Sequence, residues 1–171
     1  NMGVIRVLSG KDCTLESNLG GSDLDGDGVI DWTYSSASLA AGDLDGDGKA
    51  EIVAYGVDQS MPPRMTTLAF TFKNGAWTFL WKAKDQAGAV VDSPIAGGWA
   101  GPSIHDLDDD GIPEIIRECK VFNSLGTLLS SFPAGYGSYS SGLFPVLANM
   151  DDDPEVEMTN GQFIWQWKAG A

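Results

Sequence analysis

Four acidic segments carry the residues of this sequence whose type and spacing could do chemistry. In each segment, oxygen-bearing side chains stand at the first, third and fifth positions, and an acid stands at the ninth. We name these segments loop 1 (residues 23–31), loop 2 (43–51), loop 3 (106–114) and loop 4 (149–157). Loops 1 to 3 also place Gly at position 6, where a sharp turn would bring the side chains around one point. Because crowded carboxylates repel one another, the pattern predicts loops that bind a cation.

The cation that this pattern favours is Ca²⁺. Calcium accepts roughly six to eight oxygen ligands at flexible geometry, as in the first half of an EF-hand loop. Transition metals prefer His or Cys, and the loops contain neither. The last acid stands at position 9 and not at position 12, so each loop should lead into a strand. By analogy with the EF-hand, the backbone carbonyl of position 7 should also face the ion.

The predicted calcium ligands are Asp23, Asp25, Asp27, Val29 and Asp31 in loop 1; Asp43, Asp45, Asp47, Lys49 and Glu51 in loop 2; Asp106, Asp108, Asp110, Ile112 and Glu114 in loop 3; and Asn149, Asp151, Asp153, Glu155 and Glu157 in loop 4. Loop 4 departs from the pattern, because Asn149 replaces the first Asp and Pro154 replaces the Gly. We therefore predict three calcium sites, in loops 1 to 3, and leave a fourth site in loop 4 open.

The charge of the chain agrees with this assignment. The 171 residues include 24 acids and 10 lysines and arginines, giving a formal net charge of −14, and 15 of the acids stand at side-chain ligand positions of the loops. Outside those positions the chain is close to neutral. Electrostatic binding to nucleic acid or to an anionic membrane surface would be repulsive, so we expect no nucleic-acid partner. No apolar run approaches the roughly 18 residues of a membrane span.

The elements around the loops read as short strands. Apolar runs flank the loops, which is the signal of β-hairpins, and residues 39–82 are predicted to form four antiparallel strands with a turn at residues 74–75. The same order recurs at 101–131 and begins again at 143–167. The predicted fold class is all-β, with four-stranded antiparallel blades of β-propeller type and calcium-binding hairpin loops, in one domain over residues 1–171.

Residues 1–38 add an N-terminal strand and the extra loop 1 to these three blades. Residues 4–8 read as an outer strand without inner partners, and the unit at 143–167 has inner strands without an outer one. About three blades are too few to close a ring of roughly four to eight. We therefore expect residues 4–8 to be donated to the next copy of the chain, which would give self-association or a polymer.

The loops and their flanks, at residues 41–53, 104–116 and 148–158, resemble FG-GAP or VCBS-type repeats. Such repeats are the calcium-binding blades of integrin α-like β-propellers and of many bacterial surface proteins. The resemblance implies blades whose first and second strands are joined by the calcium loop, and an extracellular or cell-surface location. The extra loop 1, the altered loop 4 and the small number of blades depart from the family pattern.

Trp99, Tyr136 and Tyr139 are candidate ligand-binding residues, because they stand in glycine- and serine-rich segments with little bulk to bury them. Exposed rings of this kind suit stacking on a sugar or on a partner protein, and a ring that covers the edge of the core is the alternative. The lone His105 should point away from the neighbouring metal loop, as strand alternation requires. It gives no basis for acid–base catalysis.

Two further features leave structural questions. Trp77, Phe79 and Trp81 alternate along one predicted strand, so we expect them to share one face for packing. Cys13 and Cys119 are far apart in the sequence, and they could form one disulfide or remain two thiols.

The sequence thus favours an extracellular, calcium-binding module that is not an enzyme and that acts in adhesion, display or self-assembly. A carbohydrate-binding module that uses Trp99 or the two tyrosines is the main alternative. A fragment of a calcium-dependent polysaccharide lyase is a third, because some enzymes that cleave pectic chains use calcium propellers with similar repeats. That chemistry needs a base beside the metal-bound substrate, for which a single histidine and ten scattered cations give little support.

Overall fold

The computed structural model describes residues 2–34, 38–59, 64–92, 101–131, 145–159 and 163–168. These residues form fifteen strands and no helix, and the strands pair in antiparallel sheets, which confirms the all-β prediction. The strands are β1 (Met2–Gly3), β2 (Ile5–Leu8), β3 (Leu15–Leu19), β4 (Asp31–Tyr34), β5 (Leu39–Gly42), β6 (Glu51–Asp58), β7 (Arg64–Lys73), β8 (Ala76–Lys82), β9 (Ser103–His105), β10 (Glu114–Arg117), β11 (Lys120–Phe122), β12 (Leu128–Ser131), β13 (Val146–Ala148), β14 (Glu157–Thr159) and β15 (Ile164–Gln166).

Strand β6 is the centre of the largest sheet, sheet I, which contains β1 and β4 to β8. One edge of β6 pairs with β7, and β5 and β4 share the other edge, one after the other. The turn between β7 and β8 is Asn74-Gly75, where both residues have positive φ (54° and 80°), as a two-residue hairpin turn of the Asn-Gly type requires. Strands β5 to β8 are the four antiparallel strands predicted for residues 39–82.

The two sheets that follow repeat this order with shorter strands. Sheet II contains β9 to β12 in sequential pairing, and sheet III contains β13 to β15. Sheet III has three strands within the part of the 143–167 unit that the structure describes, and the absence of an outer strand from that unit stays a prediction.

The N-terminal strand has a partner inside its own chain. The sequence analysis treated residues 4–8 as an outer strand without inner partners, to be received by the 143–167 unit of another copy, but β2 pairs with β3 in a separate two-stranded hairpin, the N-terminal hairpin. Ile5 and Val7 pack against Leu68 and Phe70 of sheet I. The two strands are only six residues apart in the chain, so closing this hairpin costs less entropy than a pairing across the whole domain. Donation of β2 to another copy stays a prediction.

Two apolar clusters join the three sheets face to face. In sheet II, Ile115 packs toward Val53 and Ala69 of sheet I, while its neighbour Ile116 packs toward Met158 of sheet III. Adjacent strand residues point to opposite faces, so a run of two buried isoleucines serves both interfaces. The N-terminal hairpin, sheet I, sheet II and sheet III therefore stack in that order, each covering a face of the next.

The prediction that Trp77, Phe79 and Trp81 share a face is wrong. Phe79 pairs with Phe70 and Trp81 pairs with Ala69, so β8 has one residue more than β7 between these pairs. Such a bulge exchanges the faces of the residues beyond it. Trp77 and Phe79 pack on the side of the N-terminal hairpin, whereas Trp81 enters the core between sheets I and II.

We predict that Trp81→Ala lowers the free energy of unfolding by about 3 to 5 kcal/mol, the usual cost of removing a buried aromatic side chain. Trp81 is buried, and its Nε1–H donates a hydrogen bond to the Ser124 carbonyl of sheet II's turn at 2.9 Å. Leu80→Ala is the matched control, because Leu80 is 37% exposed. Urea denaturation of both variants measures the difference, and equal losses would contradict the assignment of Trp81 to the core.

Candidate metal centres

Each acidic loop leads directly into a strand, as predicted. Loops 2, 3 and 4 join β5 to β6, β9 to β10 and β13 to β14, and in each hairpin the residue before the loop pairs with the acid at position 9. Loop 1 leads into β4, where Ser22 bridges to Asp31. In all four loops the acid at position 9 is therefore the first residue of a strand, and it is buried.

The Asp at position 1 holds the backbone of the loop. In loop 2, Asp43 Oδ1 accepts the N–H groups of Gly46 and Asp47 at 2.7 and 3.1 Å, and Asp43 Oδ2 accepts that of Gly48 at 2.8 Å. The Asp at position 1 of loops 1 and 3 accepts the N–H groups of positions 5 and 6 in the same way. These hydrogen bonds fold the backbone of the loop without the help of a bound metal.

The acid at position 9 reaches back to position 2 in every loop. Glu51 Oε2 accepts the Leu44 N–H at 2.9 Å, and the corresponding distances are 3.1 Å in loop 1, 3.0 Å in loop 3 and 2.7 Å in loop 4. The side chains of Leu44 and Leu107, at position 2 of loops 2 and 3, are buried in the cores between the sheets. Position 2 thus anchors the loop to the core while its N–H orients the buried acid.

Positive φ angles shape the first three loops. The Gly at position 6 has φ of 83° to 88°, and position 4 is also left-handed, including Asp109 in loop 3 with φ 57°. Loop 4 has no such residue. Pro154 fixes its own φ near −65°. Loop 4 therefore turns from β13 into β14 without the left-handed residues of the other loops.

The structure brings part of each predicted ligand set together. Three carboxylates in each loop have oxygens within 4.8 Å of one another. The groups are Asp23, Asp25 and Asp27 in loop 1; Asp43, Asp45 and Glu51 in loop 2; Asp106, Asp108 and Glu114 in loop 3; and Asp151, Asp153 and Glu157 in loop 4.

Other predicted ligands stand outside these groups. Asp31 is absent from the group in loop 1, and Asn149 holds the Asp153 carbonyl through its side-chain N–H. Asp47 turns outward to an exposed ion pair with Lys49 at 2.8 Å, and Asp110 is not in the group of loop 3. Within the loops, the N–H groups of Val29, Lys49, Ile112 and Glu155 at position 7 donate to the position-5 carboxylate. The role of their carbonyls stays a prediction.

The three-carboxylate groups of loops 2 and 3 gather negative charge. Among the described residues, no lysine, arginine or histidine side chain forms an ion pair with their three-carboxylate groups. The second oxygen of the buried Glu51 accepts a neutral hydrogen bond from Thr71 Oγ1 at 2.8 Å. These two loops therefore offer several anionic oxygens, held in place by the backbone, to a hard cation.

Glu114 shows what burial of an acid does in a loop without a metal. Burial raises its pKa from the ordinary 4.5 to about 7, because the ionised carboxylate loses water. The hydrogen bond from the Leu107 N–H lowers the pKa only in part, and the charges of Asp108, Asp110 and Asp106 raise it further. A cation bound in loop 3 would instead lower the pKa of Glu114, because it stabilises the ionised carboxylate.

Loop 1 differs because a lysine from sheet I enters it. Lys82 Nζ lies 2.9 Å from Asp31 Oδ1, 3.0 Å from Asp25 Oδ2 and 3.3 Å from Asp27 Oδ2, and the Lys82 side chain is fully buried. The contact with Asp31 lies off the hydrogen-bond direction, so it is an ion pair. Burial opposes the charge on Lys82, but contacts with Asp31 and Asp25 outweigh it and raise the pKa of the amine. Burial also raises the pKa of Asp31, and Lys82 counters that rise.

Loop 4 receives a neutral donor instead. The side-chain amide of Gln166 in β15 donates to Asp153 at 2.9 and 3.0 Å and to Glu157 at 3.2 Å. The amide stands opposite Glu157 in the strand ladder, in the same register as Thr71 opposite Glu51. It satisfies part of the loop's oxygens, but it brings no charge.

Sequence reasoning missed Lys82, Thr71 and Gln166, which contact the loops from strands outside them. Only the strand register could have revealed Thr71 and Gln166, since both stand across the ladder from position 9. Lys82 carried a weaker signal, as a charged residue that ends an apolar strand.

The remaining candidates lie apart from these groups or cannot be placed. Trp99, Tyr136 and Tyr139 lie outside the described residues. His105 is exposed, and Cys13 and Cys119 are free thiols. Among the described residues, no helix is long and apolar enough to cross a membrane.

Comparison with known families supports the sequence resemblance at one of these loops. Residues 36–75 match the model of the FG-GAP repeat, a segment that includes loop 2 and strands β5, β6 and β7. This segment of the chain is similar to an FG-GAP repeat. No curated protein and no solved structure matches the chain.

FG-GAP repeats are β-propeller-type modules that are generally structural and non-catalytic. They often bind Ca²⁺ and occur mostly in extracellular or surface proteins. Loop 2 is the acidic loop of the matched FG-GAP repeat, and loop 3 shares its strand order, its position-1 and position-9 hydrogen bonds and its group of three carboxylates.

We predict that the metal-free protein loses stability as the pH rises from 5 to 8. The folded-state pKa of Glu114, about 7, lies above its unfolded value of 4.5, so the folded chain binds the proton more tightly. The stabilisation from this proton is complete below about pH 4.5 and is lost as the pH rises through 7. Glu114→Gln should flatten this part of the profile, because the amide does not ionise.

Urea denaturation in EDTA at several pH values measures this slope. Glu114→Gln retains every other acid, so the difference between the wild-type and mutant profiles reports the ionisation of Glu114 alone. A wild-type profile that rises over this interval, or one that Glu114→Gln leaves unchanged, would contradict the prediction.

Proposed function

We propose that this chain is an extracellular, calcium-stabilised β-propeller-type module with a structural role in adhesion, display or assembly. The observation that supports this function best is the pair of carboxylate groups in loops 2 and 3. Each has three carboxylates within 4.8 Å and no ion-paired cation among the described residues.

The donor set fits calcium better than other metals. Asp43, Asp45 and Glu51 would hold the ion in loop 2, with only hard oxygen ligands and no nitrogen or sulfur donor. The loop surface is exposed at Asp45 and buried at Glu51, so water can complete a large and flexible coordination shell from one side. Magnesium demands a near-ideal octahedron, which a half-open loop of this kind does not enforce.

Calcium would supply positive charge beside the first residue of an inner strand. Glu51 begins β6, the central strand of sheet I, and Glu114 begins β10 of sheet II. Neutralising these buried acids removes repulsion at the point where each sheet meets its loop. The same residues, Asp106, Asp108 and Glu114, would bind the ion in loop 3.

Loop 4 is a weaker candidate. Asp151, Asp153 and Glu157 converge, but Gln166 already donates to two of them and the loop lacks the position-1 Asp that holds the other backbones. We expect its calcium affinity to be lower than that of loops 2 and 3.

The alternatives remain predictions. A carbohydrate site would use Trp99, Tyr136 or Tyr139, which lie outside the described residues, and no described group favours a lyase over a structural module. Self-association through β2 would have to use the free edge of the N-terminal hairpin or open it, because β2 already pairs with β3.

We predict that calcium raises the melting temperature and that EDTA lowers it. A ligand that binds only the folded state at a hundred times its Kd adds about 2.7 kcal/mol per site. Asp45→Asn and Asp108→Asn should each remove part of this gain, because each amide replaces a charged ligand in one group.

Asp109→Asn is the matched control for Asp108→Asn. Asp109 is exposed, lies outside the carboxylate group and has a left-handed backbone that Asn tolerates. Thermal denaturation with and without calcium tests all three variants. An unchanged melting temperature after verified metal removal would refute the function proposed for the loops.

We further predict that calcium binds with Kd of about 10⁻⁴ to 10⁻³ M, the range of extracellular modules. The loops are exposed over most of their length, and each has few charged ligands. Isothermal titration calorimetry measures these constants. Sub-micromolar binding at every loop would instead indicate an intracellular buffer or sensor.

A further inference from the structure

Loop 1 contains a cation that belongs to the chain itself. The Lys82 ammonium contacts Asp25, Asp27 and Asp31, which are three of the four acids predicted to bind calcium there. No other described loop has an ion pair to its position-3 or position-9 acid.

The chemistry of the ammonium matches the place it occupies. An ammonium has three N–H donors and no acceptor, and here it faces three carboxylates from positions 3, 5 and 9. A buried charge is stable only when it is paired, and the fully buried Lys82 has no other partner among the described acids. The remaining acid, Asp23, accepts backbone N–H groups at 2.8 to 3.1 Å, as Asp43 does in loop 2, so the difference between the two loops lies in the lysine and not in this acid.

The pairing of Lys82 within sheet I holds its side chain in position beside loop 1. Lys82 is the last residue of β8, where it pairs with Leu68, and the preceding Trp81 is held in the core between sheets I and II. Because of the bulge in β8, Lys82 faces the side of sheet I on which the N-terminal hairpin packs, together with Phe79 and Trp77. Its ammonium therefore reaches loop 1 from a rigid strand.

We propose that Lys82 takes the place of calcium in loop 1, so that this loop is closed by an ion-pair cluster and binds no metal in the native protein. This goes beyond the proposed function, which concerns loops 2 and 3. The cluster attaches the N-terminal hairpin and loop 1 to sheet I at any calcium concentration.

The first test counts bound calcium by native mass spectrometry in calcium chloride. Lys82→Met removes the ammonium and keeps a side chain of similar length, and it should bind one calcium more than the wild type. In EDTA this variant should melt at a lower temperature than the wild type, and calcium should restore the difference. Lys120→Met is the control, because Lys120 lies outside the four loops, where it pairs with Glu118 at 3.7 Å, and its loss should open no site.

A second pair of variants keeps Lys82 in place, in case Lys82→Met does not fold without metal. Asp25 and Asp45 both stand at position 3, in loops 1 and 2 respectively. Asp25→Asn should leave the calcium count of the protein unchanged, whereas Asp45→Asn should lower it by one.

The outcomes separate this inference from the proposed function. Loss of one calcium in Asp25→Asn, or a Lys82→Met variant that folds and gains none, would overturn the role of Lys82 while leaving loops 2 and 3 as metal sites. A wild type that binds no calcium would refute the proposed function, and a gain of one ion in Lys82→Met would still support the inference. A Lys82→Met protein that folds only in calcium supports it as well.

Discussion

The need to balance converging carboxylates controls how the rest of this structure is arranged. Each loop places three acids close together and buries the acid that begins a strand. Such a group cannot remain fully ionised and buried without a positive charge or strong donors. The four loops differ in how they meet this requirement: loop 1 has an ammonium, loop 4 has an amide, and the described residues form no ion pair with the carboxylate groups of loops 2 and 3, where we propose that calcium binds.

The frame that supports these groups is the same in all four loops. The acid at position 9 accepts the N–H of position 2, and the side chain of position 2 packs inward in loops 1 to 3. The loop is therefore joined to the cores between the sheets at one point, and the orientation of the buried acid depends on that joint. Packing between the sheets therefore helps to orient the buried acid, whose charge the loop must balance.

Local patterns in the sequence were enough to predict much of this architecture. The loop spacing, the strand order at 39–82 and 101–131 and the turn at Asn74-Gly75 all follow from short-range signals, and the structure contains them. The approach of Lys82 to loop 1 could not be predicted, because it joins residues more than fifty positions apart and depends on a bulge that exchanges the two faces of β8. The face of Trp81 was missed for the same reason. The pairing of β2 with β3 was missed because residues 4–8 were compared with a distant unit and not with the short strand that follows them.

The common hydrogen bond between positions 2 and 9 has a consequence for how a repeated sequence of this kind can diverge. Loop 4 keeps this hydrogen bond, and its hairpin, without the position-1 Asp that holds the backbone of the other loops. If Lys82 takes the place of calcium as we propose, a unit of this kind can replace an ion by a side chain from its own sheet, and loop 4 shows that Pro can stand for Gly and Asn for Asp over the same hydrogen bond. Under that proposal, metal dependence is a property that each unit can gain or lose separately, while the hairpin beneath it is retained.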